Sequence, residues 1–176
     1  MAGILYEIDP SITRSEQRSA INATADVDGG SPVIMGVPVV GDNSTFVATQ
    51  ATATSASVYI AYNPTFWYAT DGTLVFPAVS VDPRNHTNIK GKPFGSFKPV
   101  VGQIFGVIAA NITGSTAPTV GQFLEPTVGN QYAIKTAQTA SVASFKVIEI
   151  RKQHFPSGNI GGEYIPVYVV ETVFNV

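Results

Sequence analysis

The chain reads as an all-β protein, a barrel or a sandwich, and three observations predict this. Short runs rich in Val, Ile, Thr and aromatic residues recur along most of its length. Gly, Pro and Asn punctuate them at turn-like intervals. The closing run, Tyr164 to Val176, is apolar on both faces, with Ile165, Val167 and Val169 alternating with Tyr168, Val170 and Phe174, as a central buried strand requires.

Residues 1–30 differ from the rest. Asp9-Pro10 has the form of a helix N-cap and first turn, but Ser11 to Thr24 carries Arg14, Glu16 and Arg18 and few apolar residues, too polar for a core helix. The expectation is an N-terminal arm that orders on a partner and ends in the turn Asp26-Val27-Asp28-Gly29-Gly30.

A β domain is expected over residues 31–176. Its first strands are Val33 to Met35, Val37 to Val40, Phe46 to Thr49, Val58 to Tyr62, Phe66 to Ala69 and Leu74 to Val81. Asn63-Pro64 and Asp71-Gly72 are turns, the latter the best hairpin signal in the chain. Asp82 to Pro99, rich in Pro, Gly, Asn and Lys, shows no periodicity and is expected to be a long interface loop, 82–99. A second group follows: Gln103 to Ile108, Gln122 to Glu125, Tyr132 to Lys135, Phe145 to Arg151, and the closing run. Gly158 to Gly162 reads as a hairpin loop between the last two strands. Pro-Val-Val-Gly occurs at Pro38 to Gly41 and at Pro99 to Gly102, echoed by Val120-Gly121, and these are turns leading into strands.

Composition narrows the function. Charged residues are 12% of the 176, about half of the roughly 25% usual in globular proteins. Such a surface can be covered by neighbours without desolvating many ions. A net charge of −2 leaves no basic footprint for nucleic acid or an anionic membrane. With no cysteine there is neither a disulfide framework nor a thiolate metal site. The first residues carry Glu7 and Asp9 where a signal peptide needs cations, so synthesis in a cytoplasm without export is expected. The four sequons at Asn22, Asn43, Asn85 and Asn111 are chance in so Thr-rich a chain.

The residues argue against catalysis and against a cofactor or metal. His86 and His154 stand in polar contexts far apart, and no Gly-x-Ser-x-Gly elbow is present. Asp26-Val27-Asp28-Gly29 opens like a calcium loop, but Val37 stands where the bidentate Glu would be. Gly91-Lys92 is followed by Pro93, so it is no phosphate loop. The aromatic cluster Tyr59, Tyr62, Phe66, Trp67 and Tyr68 is open to two readings, a covered core or an exposed Trp67 that stacks on a sugar or anchors an interface. Phe94 and Phe97, beside Lys92 and Lys98 in the expected loop, are stronger interface candidates.

The segments Val100-Val101-Gly102-Gln103-Ile104-Phe105-Gly106-Val107, Val120-Gly121-Gln122-Phe123-Leu124-Glu125-Pro126, Phe145-Lys146-Val147-Ile148-Glu149 and Tyr164-Ile165-Pro166-Val167-Tyr168-Val169-Val170-Glu171 together resemble the decoration (cement) proteins of tailed-bacteriophage capsids. Asp82-Pro83-Arg84-Asn85-His86-Thr87-Asn88 with Lys92-Pro93-Phe94 is similar to phage head proteins of Gram-positive hosts. The resemblance implies a β-barrel or β-tulip domain, a homotrimer, seated where capsid subunits meet, with the major capsid protein as partner and an N-terminal arm along the shell. It brings no catalytic residues. The expected function is thus a non-enzymatic virion protein on the capsid surface that clamps neighbouring major capsid subunits. A tail-tube or head-completion subunit is the alternative within virions, and a carbohydrate-binding β module using Trp67 the alternative outside them. The interface candidates are Ile4, Leu5, Tyr6 and Ile8 in the arm, Arg84, His86, Phe94 and Phe97 in the loop, and Trp67.

Overall fold

A computed structural model describes residues 3, 5–7, 16–63, 67–68, 74–75, 87–155 and 163–176. The protein is almost entirely β, and the one helical feature among the described residues is a single 3-10 turn at Ala109–Asn111. The strands are β1 (Leu5–Glu7), β2 (Glu16–Ile21), β3 (Pro32–Val39), β4 (Asp42–Gln50), β5 (Tyr59–Ala61), β6 (Trp67–Tyr68) and β7 (Leu74–Val75). There follow β8 (Pro93–Lys98), β9 (Ile104–Ile108), β10 (Phe123–Thr127), β11 (Gln131–Lys135), β12 (Ser144–Phe155) and β13 (Glu163–Phe174). The order β2-β4-β3-β5-β8 closes into a barrel, and β1-β9-β13-β12-β10-β11 form a six-stranded sheet. All pairs are antiparallel except β2 with β4.

Side chains alternate across each strand, and the barrel uses both of its faces. Ala20, Val27, Val33, Ala48, Ala61 and Phe94 form one cluster within it. Ile60 and Phe97 point the other way, into a larger cluster shared with the sheet, where they meet Leu5, Phe105, Val107, Leu124, Tyr132, Phe145, Val147, Tyr168 and Val170. An aromatic series joins the two units. Tyr62 lies 5.3 Å from Phe97, Phe97 6.0 Å from Phe105, Phe105 5.3 Å from Phe145, and Tyr132 5.7 Å from Phe145, the last three edge-on. Edge-on pairs contribute about 0.5–1.5 kcal/mol each beyond their area.

Buried polar groups lock the same junction. The Tyr132 hydroxyl donates to the Gly30 carbonyl at 2.8 Å, and Asn111 Nδ2 to the Gly29 carbonyl at 2.8 Å. Asn175 accepts from Val58 N at 2.8 Å and donates to the carbonyls of Val58 and Pro99 at 3.0 and 2.8 Å. Each of these replaces a water that the core excludes, and a buried group left without its partner costs about 1–3 kcal/mol.

The expected arm is corrected. β2 is a full barrel strand, paired with β8 from Glu16↔Lys98 to Ile21↔Pro93, and β1 closes the sheet edge against β9, with Leu5 opposite Val107. Asn63 acts as a substitute strand for Leu5, accepting from its N–H at 2.8 Å and donating to its carbonyl at 2.7 Å. Glu16, Gln17 and Arg18 looked too polar for a core element, but a strand needs only one apolar face, and Ala20 supplies it. Asp26 and Asp28 accept backbone N–H groups from Lys90 and Gly3 at 2.8 and 2.9 Å, which accounts for the acids that suggested a cation loop.

The expected interface loop is corrected in the same way. Residues 82–86 lie outside the described residues, whereas Pro93 to Lys98 is β8, paired on both sides. Its Pro, Gly and Ser disguised it. Gly95 is required there because a Cβ would stand 3.1 Å from the Tyr62 ring.

Candidate interaction surface

β12 and β13 are the longest strands among the described residues, and they pair with each other. Each strand has 12 residues, but their neighbours are short. β9 covers β13 only from Val167 to Glu171, and β10 pairs with β12 only at Phe145 and Lys146. Gly121 and Gln122 extend that cover to Val147. Beyond both covers the pairs from Lys152↔Pro166 to Phe155↔Glu163 run out of the sheet as a two-stranded ribbon, with no third strand among the described residues. A bulge between Val147 and Glu149 marks the start of this departure.

The ribbon and the strand pair that leads into it display large side chains. Tyr164 is 69% exposed and Ile150 42%. Across the strands the His154 and Tyr164 rings stand edge-on at 5.1 Å. Arg151 grips Glu149 with both Nε and Nη2, each at 2.7 Å. That hydrogen bond holds the Glu149 carboxyl below its ordinary range, against a small opposing effect of burial.

A second set of exposed apolar groups comes from turns. Val40, Val101, Val120 and Val128 each precede a glycine in the left-handed region, with φ of 84°, 88°, 94° and 83° at Gly41, Gly102, Gly121 and Gly129, and all four valines are exposed. Two of these turns are built alike. Gln103 N–H donates to Val100 O while Gln103 Oε1 accepts from Val100 N; Gln122 and Thr119 repeat this. Each then docks on a strand, the first at Thr172 of β13 and the second at Val147 of β12. The repeated Val-Gly sequence therefore encodes a turn that starts a strand, as expected.

Two concavities open on the surface. One, of about 80 Å³, is lined by Ala109, Ile112, Ser115, Pro118 and Tyr168 among others; the second, of about 240 Å³, by Gln17, Arg18, Ser19, Tyr62, Gly95 and Ser96. Neither brings an acid, a base and a nucleophile together. Among the described residues no three His, Asp or Glu side chains group as metal ligands.

The candidates from sequence fall apart rather than together. Leu5, Phe94 and Phe97 are 2%, 6% and 0% exposed; they are core residues of this chain, which corrects their reading as interface. Trp67 and Tyr6 lie in β6 and β1, and their side chains are outside what is described; β6 pairs with β7 around the expected Asp71-Gly72 turn, itself outside it. Ile4, Ile8, Arg84 and His86 lie outside the described residues. The closing strand is central, as expected, but its buried residues are Val167 to Val170 and Thr172, and Glu163, Tyr164 and Pro166 are exposed. The ribbon was missed, although Arg151-Lys152-Gln153-His154, four polar residues in succession at the end of an apolar strand, was its signal. Comparison with protein-family models, curated proteins and solved structures returned no match to this chain.

Proposed function

We propose that the chain is a non-enzymatic structural protein of a virion, which binds the outside of a phage capsid and clamps neighbouring major capsid subunits. The observation that carries this reading is the projecting β12–β13 ribbon with Tyr164 at its exposed end. Exposed aromatics held on a rigid element are the anchors that dominate protein interfaces, and an isolated two-stranded ribbon is marginal in water unless something packs on it. The low charge of the chain and the sequence resemblance to capsid decoration proteins support the same reading. Leu5 is anchored in the chain's own core, so shell contact is assigned to the ribbon rather than to the N-terminal segment.

Light scattering of the purified chain followed by co-sedimentation with capsids of the same phage tests the proposal. Pelleting with shells, saturating at a fixed ratio to capsid subunits, is the expected result. A chain that stays in the supernatant at every concentration, or that forms rings or tubes alone, overturns it in favour of another structural role.

A further inference from the structure

The two faces of the ribbon differ in charge, and the difference singles out one of them. Residues opposite one another in an antiparallel pair share a face. Ile150↔Tyr168, Lys152↔Pro166 and His154↔Tyr164 thus lie on one face, and Arg151↔Val167, Gln153↔Ile165 and Phe155↔Glu163 on the other. The first face continues the core: Tyr168 belongs to the main cluster, and Ile150, Pro166 and Tyr164 carry the same face out into solvent. It holds Lys152 and no carboxylate. The two acids nearest this face's residues, Glu163 in the ribbon and Glu149 just before it, are on the opposite face, where Arg151 is already held by Glu149. Lys152 has no ion-pair partner among the described residues.

We infer that the face formed by Ile150, Lys152, His154, Tyr164 and Pro166 is the docking face, and that it takes an apolar surface of the major capsid protein bearing carboxylates. This rests on the proposed function for the identity of the partner. An apolar surface without carboxylates would leave Lys152 desolvated and unpaired, which is costly, while one with a carboxylate opposite completes a charge-assisted hydrogen bond. The opposite face carries both carboxylates of this region, Glu149 and Glu163, and is the less favourable one for a partner that itself bears carboxylates.

Co-sedimentation of the full chain and five exposed-site variants with purified capsids tests this, with thermal melting to confirm that each variant is folded. Tyr164→Ala and Lys152→Glu are expected to weaken shell binding about tenfold or more, and Glu149→Gln and Glu163→Gln to change it less than about twofold. Added salt should weaken binding of the parent and act much less on Lys152→Gln, a response that a merely structural lysine would not produce. If the parent pellets and Tyr164→Ala and Lys152→Glu pellet equally well, or if Glu163→Gln weakens binding as much as they do, the docking face is wrong while the shell reading stands. An unchanged salt response in Lys152→Gln also overturns it. A parent that never pellets overturns both.

Discussion

Replacing Tyr132 by Phe removes one oxygen from the middle of the molecule and tests how the barrel is fastened to the sheet. The hydroxyl is buried and donates to the Gly30 carbonyl at 2.8 Å, while the ring stacks edge-on against Phe145. Tyr132→Phe keeps the ring and strips the Gly30 carbonyl of this donor, at a cost of about 1–2 kcal/mol. For a chain of this size that is a fall in melting temperature of about 3–6 °C. An alkaline titration gives the burial of this hydroxyl a second signature. Burial raises the phenol pKa well above its ordinary value of 10.0, so the folded state keeps a proton that the unfolded state releases. The stability this group contributes is complete below about pH 10 and is lost as pH rises from there toward the folded pKa, by about 1.4 kcal/mol per pH unit. Tyr168 and Tyr59 are also raised by burial, so Tyr132→Phe should lessen the alkaline slope without abolishing it. Urea unfolding at neutral pH and at a series of pH values above 10 measures both effects. Equal stability of parent and variant at neutral pH would refute the role given to this bond, and an unchanged alkaline slope would refute the burial of the hydroxyl.

Three further outcomes follow from the same packing. Deleting residues 1–25 removes β1 and the barrel strand β2, so the product should fail to give a cooperative thermal transition; a folded, monodisperse truncation would restore the arm reading. Gly102→Ala and Gly121→Ala force a side chain into backbone with φ of 88° and 94° in two turns of the same construction; each should cost about 1–2 kcal/mol in chemical denaturation, and by similar amounts. Asp42, whose carboxylate accepts from Ser44 and Thr45, has a pKa lowered to about 2. Since its ordinary value is 3.8, whatever stability it adds is present above that pH and is lost as pH falls through about 2. Titration of its carboxyl carbon by NMR should show no midpoint between pH 3 and 5, and Ser44→Ala should move the midpoint upward.

Most of the fold was legible because β signals are local. Alternation in Phe46 to Thr49, Tyr132 to Lys135 and Phe145 to Arg151 located β4, β11 and β12, and the doubly apolar Val167 to Val170 marked the centre of the sheet. The strands that escaped detection lack this local signal. β8 is Pro-Phe-Gly-Ser-Phe-Lys, whose strand character comes from hydrogen bonds to β2 and β5 on either side, and β2 shows one buried residue, Ala20, in a polar run. Closure of a barrel supplies both partners, and closure is not written in any one segment. The same logic misread which side chains are exposed. Phe94 and Phe97 looked exposed because their surroundings read as loop, while Tyr164 looked buried because its strand is apolar. Whether a strand outruns its neighbours depends on the lengths of β9 and β10, which the sequence of β13 does not contain.

Electron cryomicroscopy of capsids incubated with the purified chain tests the central proposal most directly. The account predicts added density on the outer surface, bridging neighbouring capsid subunits, with the β12–β13 ribbon pressed against the shell. Bare shells, or density that touches a single subunit through the barrel, would contradict it.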